Sequence, residues 1–239
     1  MMEAARRLLE PLLDPAVRAR NTLARRRMRP RVERVTQEIL AGLDRDAFDR
    51  RFLPHWSFFE VAGAQKFLDV RQWLPVAVER FYLYGFDEMA APARLLDLGS
   101  GAGYFLLAAR HLGHAPVGLD LADEPLYAEL IDFFGLERVT HRIEPGEPLP
   151  GELDELDGAS MFLTTFDRHP DGSQWSAEEW MYLLRDLHAR LRPGGRVAIK
   201  FNRNRASGRL FPPGLPAAVR GSSLYDARFF ADSAILDRR

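Results

Sequence analysis

From Ala93 onward the chain alternates short apolar runs with amphipathic stretches, and this alternation limits its possible folds more than any other feature. The apolar runs are Arg94 to Leu98, Pro116 to Asp120, Arg138 to Ile143, Gly158 to Leu163 and Arg196 to Phe201. Each has the length of a strand, and most of the segments between them carry helical spacing. Parallel strands need a crossover long enough to hold a helix, so the alternation predicts an α/β fold with a doubly wound, mostly parallel sheet. Ligand sites in such sheets lie outside the C-terminal ends of the strands.

The residues between the runs agree with that reading. Asp123 is placed to cap a helix with Pro125 in its first turn, and Gly135 stands where a left-handed residue ends one. Ser176 and Glu179 have capping-box spacing, ahead of a helix with Trp180, Leu183, Leu184, Leu187 and Leu191 on one face. That helix is expected to stop at Arg192-Pro193-Gly194-Gly195. Asn202 to Ser223 is rich in Arg, Gly and Pro, which leaves Leu224 to Leu236 for one or two closing strands.

Upstream, residues 35–90 are crowded with aromatic side chains. Phe67, Val70, Trp73, Leu74, Val78, Phe81 and Tyr82 fall at helical spacing and predict helices ahead of the sheet. Residues 1–34 differ from the rest, with ten Arg against four acids, while the remaining 205 residues carry a net charge of −7. Leu8, Leu9, Leu12 and Leu13 would form one helical stripe. Arg25-Arg26-Arg27-Met28-Arg29-Pro30-Arg31 reads either as a solvated arm or as a binder of phosphates or anionic lipid heads. The expected organisation is a basic N-terminal arm at 1–34, a helical lid region at 35–90 and an α/β domain at 91–239.

Several function classes are excluded at this level. Cysteine is absent, which removes thiolate nucleophiles, cysteine-ligated zinc and iron–sulfur clusters. No stretch of about 18 uncharged apolar residues exists to span a bilayer. No apolar segment with a small-residue cleavage site opens the chain, so a cytoplasmic protein is expected.

The chemistry concentrates in Leu95-Leu96-Asp97-Leu98-Gly99-Ser100-Gly101-Ala102-Gly103-Tyr104-Phe105, an apolar strand running through a glycine turn into a helix. The dinucleotide fingerprint needs glycine at the sixth position from Gly99, where Tyr104 stands. Asp97 beside the loop would repel a pyrophosphate and favour a ligand bearing an amine or another positive charge. Asp120, 21 residues after Gly99 at the end of the second strand, is placed to accept both hydroxyls of a ribose. These residues together describe a nucleoside with an amine-bearing tail.

At these residues the sequence resembles the class I S-adenosylmethionine-dependent methyltransferases. The match runs from Ala93 to Asn202 and rests on the Asp-Leu-Gly-Ser-Gly-Ala-Gly loop, the Gly-Leu-Asp strand end and the Leu-Arg-Pro-Gly-Gly-Arg turn. The resemblance implies a seven-stranded, Rossmann-like methyltransferase fold, here with an N-terminal helical extension. It implies S-adenosyl-L-methionine as cofactor, with Gly99, Ser100, Gly101 and Gly103 against its methionine and ribose parts and Asp97 near its ammonium. Asp120 would hold the ribose, Leu121 and Ile143 would flank the adenine, and Glu144 would reach the adenine amino group.

The methyl acceptor is expected at Thr164 to Trp175, after the fourth strand. Enzymes acting on exocyclic amino groups of bases place Asn/Asp-Pro-Pro-Tyr/Phe there, and cytosine-carbon methylation needs a cysteine, so a small-molecule acceptor is expected rather than nucleic acid. His169 is the candidate general base, because imidazole titrates near neutral pH; the competing reading is a loop histidine bonded to backbone. His55 is a lesser candidate for the same role. Asp167 and Asn202 have the placement of magnesium ligands, but Phe201 stands where a neighbouring acid would be needed, so no metal is assigned. His111 and His114 read as structural, and Trp73, Tyr82, Tyr84, Trp175 and Trp180 as core, a few of them bordering the sulfonium. The alternatives are aminopropyl transfer, a noncatalytic cofactor-binding partner protein, and a methyltransferase acting on a polyanionic or membrane-surface substrate. The oligomeric state stays open.

Overall fold

A computed structural model describes residues 15–53, 61–204 and 208–239. The expected leucine stripe at 8–13, and His55, lie outside these residues. The N-terminal part holds α1 (Pro15–Ala41), α2 (Arg45–Phe52), a 3-10 segment (Val61–Leu68), α3 (Val70–Leu83) and a short 3-10 turn (Phe86–Glu88). The α/β part follows as β1 (Arg94–Leu98), α4 (Tyr104–His111), β2 (Ala115–Asp120), α5 (Pro125–Phe133), β3 (Arg138–Thr140), β4 (Leu156–Phe162), α6 (Ala177–Arg190), β5 (Leu191–Lys200), α7 (Leu215–Gly221), β6 (Tyr225–Phe229) and β7 (Ser233–Arg238).

The strands form one seven-stranded sheet in the order β3-β2-β1-β4-β5-β7-β6. β1 to β5 are parallel, while β7 runs antiparallel to β5 and β6 antiparallel to β7. Leu224 to Leu236 thus supplies both closing strands, as a hairpin. The chain steps outward from β1 to β3 and returns to place β4 on β1's other side, so a crevice opens at the C-terminal ends of β1 and β4.

Both faces of the sheet are covered, which is why the strands read as continuous apolar runs. On one face Trp180, Leu184 and Leu187 of α6 and Val219 of α7 pack against Leu96, Leu98, Val197 and Ile199. On the other, Phe81 and Phe86 pack with Phe105 and Ala109 of α4 against Leu95 and Ile235. Outside that layer Val32, Val35 and Ile39 of α1 join Phe48 and Phe52 of α2, Leu74 and Val78 of α3, and Leu126 and Leu130 of α5 in a further apolar cluster.

Several expectations are corrected in detail. The division at residue 34 falls inside α1, which is continuous to Ala41. Part of the arginine run is docked: Arg25 lies 3.2 Å from Glu79, and Arg31 lies 3.2 Å from Asp87 with its guanidinium 4.5 Å from the Tyr82 ring centre. Glu124, one residue after the expected Asp123, caps α5 by accepting from the Leu126 amide. Gly135 does follow that helix with a positive φ, and the Ser176–Glu179 capping box is formed. β3 ends at Thr140, which leaves Ile143 and Glu144 in the loop beyond it. β5 begins at Leu191, so the Pro-Gly-Gly turn lies within a strand that bulges against β4. Among the described residues no helix is long and apolar enough to cross a membrane.

Candidate functional site

A cavity of about 1060 Å³ opens at the crevice between β1 and β4. It is lined by Asp97, Gly99, Ser100 and Gly101 from the β1 end, Asp120 and Leu121 from the β2 end, and Ile143 and Glu144 beyond β3. The topology therefore brings together almost every candidate cofactor residue, because each follows the C-terminal end of a neighbouring strand. Gly103 is the exception. It does not line the cavity; its α-carbon faces α5, where an added Cβ would stand 2.5 Å from the Ile131 Cδ1. It makes close packing of the loop against α5 possible.

Asp97 is 4% exposed, and its Oδ1 accepts from the Ser160 hydroxyl of β4 at 2.6 Å. Burial pushes its pKa from the ordinary 3.8 up to about 7, although Ser160 and the charge of Arg80 act in the opposite sense. Asp120 accepts one amide on each oxygen, from Gly101 at 2.6 Å and from Leu121 at 2.8 Å. A carboxylate has about four acceptor positions, so about two stay open toward the cavity, the number needed for two neighbouring hydroxyls. Ser100 also borders the cavity, but its hydroxyl is buried without a partner and turned toward Gly118 of β2, where an added Cβ would stand 2.7 Å from the Oγ.

Residues ahead of the sheet form the opposite wall. Lys66, Phe67, Trp73, Ala77 and Arg80 line the cavity from the 3-10 segment and α3. The Tyr104 hydroxyl, just past the glycine loop, donates to the Phe67 carbonyl and ties that wall to the loop. The Phe67 ring meets Trp73 at 4.8 Å and Tyr127 at 5.6 Å between centroids, and the Trp73 indole donates to the Lys66 carbonyl at 2.7 Å. Arg80 is half-buried with its guanidinium 5.4 Å from the Phe162 ring centre, and it interacts electrostatically with Asp97, Tyr84 and Glu79.

The third wall is the loop after β4. Leu163 has φ +58, a conformation that costs a bulky residue about 1–3 kcal/mol. Asn202, past β5, donates to the Leu163 carbonyl at 2.7 Å and to the Thr164 carbonyl at 2.8 Å and so holds this turn. The Thr164 side chain lies over Gly99, where a Cβ would meet it at 2.6 Å. Asn202→Ala removes both bonds and is expected to destabilise the protein by about 1–3 kcal/mol, read by urea denaturation. An unchanged midpoint would remove Asn202 from this role.

His169 lines the cavity, with its Nε2 3.3 Å from the Glu179 Oε1. Glu179 is itself fixed by the capping box, its Oε2 accepting from the Ser176 amide at 2.7 Å. Asp167 is buried, and its Oδ2 accepts from Gln174, so it holds the loop and does not line the cavity. His114 accepts from the Ala93 amide and His111 lies 3.2 Å from Glu38, both structural contacts. Trp175 and Trp180 are buried core, Tyr82 and Tyr84 are buried too, and Trp73 alone of the five aromatics lines the cavity.

Sequence reasoning missed Arg80, Phe162 and Arg203 as cavity residues, and it included Arg168 only as part of the acceptor segment, with no role of its own. For Arg80 a signal existed: Trp73, Ala77, Arg80 and Tyr84 fall at helical spacing, so a cation stands on an otherwise apolar stripe. The others follow strand ends whose neighbours only the sheet order reveals.

No protein-family model matches the chain, and no curated protein matches it. Solved structures do. The pyocyanin biosynthetic protein PhzM is similar with a TM-score of 0.53 at 14% identity, over 79% of this chain and 62% of that one. The 1,6-didemethyltoxoflavin-N1-methyltransferase of Burkholderia thailandensis, solved with 1,6-didemethyltoxoflavin and S-adenosylhomocysteine, is similar with a TM-score of 0.50 at 23% identity, over 77% of this chain and 86% of that one. An O-methyltransferase family protein from Burkholderia thailandensis aligns with a TM-score of 0.49 at 16% identity, over 77% of this chain and 62% of its own. The chain thus spans less than two thirds of PhzM and of the O-methyltransferase family protein. At such identities the likeness is one of fold, that of the seven-stranded, mostly parallel Rossmann-like sheet described above.

Proposed function

We propose that this chain is an S-adenosylmethionine-dependent methyltransferase acting on an oxygen or nitrogen of a small molecule. The observation that carries the reading is the pair of carboxylates flanking one glycine loop in one cavity: Asp97 at the end of β1 and Asp120 at the end of β2.

The residues suit that cofactor in several respects. Asp120 retains acceptor capacity for a ribose. A Cβ at Gly101 would find nothing nearer than Tyr127 at 3.9 Å, so the space above the loop is open to a ligand. Asp97 and Arg80, opposite charges coupled across the cavity wall, complement the ammonium and carboxylate of an amino-acid tail. Leu121 and Ile143 offer apolar surface for a base, with Glu144 at its edge.

When bound, the cofactor supplies an electrophilic methyl carbon: the acceptor's lone pair forms the new bond, the S–C bonding pair returns to sulfur, and an O–H or N–H proton leaves to a base or to water. The chain's part is to align the acceptor and exclude water, which the loop after β4 and the Phe67–Trp73 wall do from opposite sides. His169 serves as the base. Glu179 orients its imidazole through Nε2, which leaves Nδ1 as the position that takes a proton.

The noncatalytic alternative calls for a closed acceptor pocket. The cavity instead reaches past the carboxylates to His169 and Asn202, which favours an enzyme. A small acceptor also accords with the engagement of Arg25 and Arg31 by acids of the fold.

The test is methyl transfer from tritium-labelled S-adenosylmethionine to a panel of phenols, amines and carboxylic acids. His169→Gln is expected to lower turnover by about tenfold to a thousandfold, the range for a positioned acid–base group, with affinity for S-adenosylhomocysteine within about threefold. Full turnover in the variant would leave alignment alone to account for the reaction. No labelled product from any acceptor, in protein that binds the cofactor, would favour the noncatalytic reading.

A further inference from the structure

The carboxylates lining the cavity are gathered on one side: Asp97 and Asp120 stand at the C-terminal ends of β1 and β2 and Glu144 beyond β3, where Arg142 also lines the cavity, while Lys66 and Arg80 line it from the N-terminal wall. Beyond β4 and β5 the lining holds Arg168 and Arg203 and no carboxylate among the described residues. The sheet order sets β3, β2 and β1 on one side of the crevice and β4 and β5 on the other, so the segregation is built into the topology.

The two arginines are poorly compensated. Arg203 is exposed and donates to the Gly208 carbonyl at 2.7 Å. Arg168 is half-buried, and its nearest compensation is the field of Asp167, whose carboxylate Oδ2 already accepts from Gln174. By contrast Arg142, on the acidic side, lies 3.1 Å from Asp123. Aromatic surface lines the same cavity: Phe162, at the end of β4, lies under the Arg80 guanidinium, and Phe166, two residues before Arg168, is packed 5.6 Å from Trp175.

We infer that the methyl acceptor is an anion, a planar molecule bearing a carboxylate, whose negative group is held by Arg168 and Arg203 while its ring lies against Phe162 and Phe166. This rests on the methyltransferase reading and names the substrate class of the same site. The cofactor proposed there carries a net positive charge and matches the acidic half. An anionic acceptor matches the other half, and planar guanidinium groups suit carboxylates in particular.

The probes are 4-hydroxybenzoate and its neutral counterpart 4-hydroxybenzamide, titrated by calorimetry into protein saturated with S-adenosylhomocysteine. The acid is expected to bind about tenfold or more tighter than the amide. In the Arg168→Gln/Arg203→Gln double variant that preference should fall to about twofold or less, with S-adenosylhomocysteine affinity within about threefold as the control for folding. Single Arg203→Gln, at an exposed position, should lie between. Equal binding of acid and amide, a preference that survives both substitutions, or no binding of either probe at about 10 mM would overturn the proposal. Failure of S-adenosylhomocysteine itself to bind the unaltered protein is a separate result, and it would sink the underlying methyltransferase reading.

Discussion

Asp97→Asn is expected to make the ligand-free protein more stable and its cofactor binding weaker. The carboxylate is fully buried with a pKa near 7, so at pH 8 the fold holds a charge that the unfolded chain carries at less cost. Each pKa unit is worth about 1.4 kcal/mol, which puts the ceiling of this penalty at about 4 kcal/mol. The sign follows from linkage. The folded pKa lies above the unfolded one, so the wild type is favoured at low pH and loses stability as pH rises from 3.8 through about 7. Asparagine keeps an oxygen for the Ser160 hydroxyl but carries no charge, so the variant should gain about 1–4 kcal/mol at pH 8 and nothing near pH 4. Urea denaturation at both pH values reads the difference. Removing the charge opposite an ammonium should weaken S-adenosylhomocysteine about tenfold to a hundredfold. A variant less stable at pH 8 would mean that the carboxylate supports the fold rather than the ligand.

Gly103→Ala should be the most damaging of the small substitutions in the loop. Gly103 is the N-cap of α4 at φ +76, a conformation that costs an L-residue about 1–2 kcal/mol. Its new Cβ would also stand 2.5 Å from Ile131 and 3.0 Å from Leu136, and such overpacking costs about 1–3 kcal/mol. A loss of about 2–5 kcal/mol is expected, or about 5–15 °C in melting temperature for a chain of this size. Gly101→Ala is the contrast: its φ of +51 carries a similar backbone strain of about 1–2 kcal/mol, but its Cβ would meet nothing nearer than Tyr127 at 3.9 Å, so its melting loss should be the smaller and its effect on cofactor affinity the larger. Equal melting losses in the two variants would contradict the division between a packing glycine and a ligand-facing one.

How far the sequence was legible depended on whether the signal was local. β1, the glycine loop and the capping box of α6 were readable because strand, turn and cap each depend on neighbouring residues. The carboxylates Asp97 and Asp120 were found because each ends an identifiable strand. The boundary at residue 34 rests on the change in charge, which carries no information about where a helix ends, and α1 runs through it. The i,i+4 pairs Arg29–Glu33 and Arg34–Glu38 and the burial of Val32, Val35 and Ile39 hold the helix together across that point despite Pro30. Arg168 and Arg203 sit 35 residues apart and share a cavity wall only because β4 pairs with β5, so no local pattern joins them. His169 was singled out as a loop histidine, but Glu179, 3.3 Å from its Nε2, comes from the next helix and was visible only as a cap.

The central claim is that the cavity at the β1–β4 crevice holds S-adenosylmethionine. Calorimetric titration of the unaltered protein with S-adenosylhomocysteine, alongside Asp120→Ala, tests it most directly. The account predicts one-to-one binding by the unaltered protein and a loss of about 1–3 kcal/mol, roughly tenfold to a hundredfold, in the variant. Absence of binding at about 1 mM, or equal affinity in the two proteins, would contradict it.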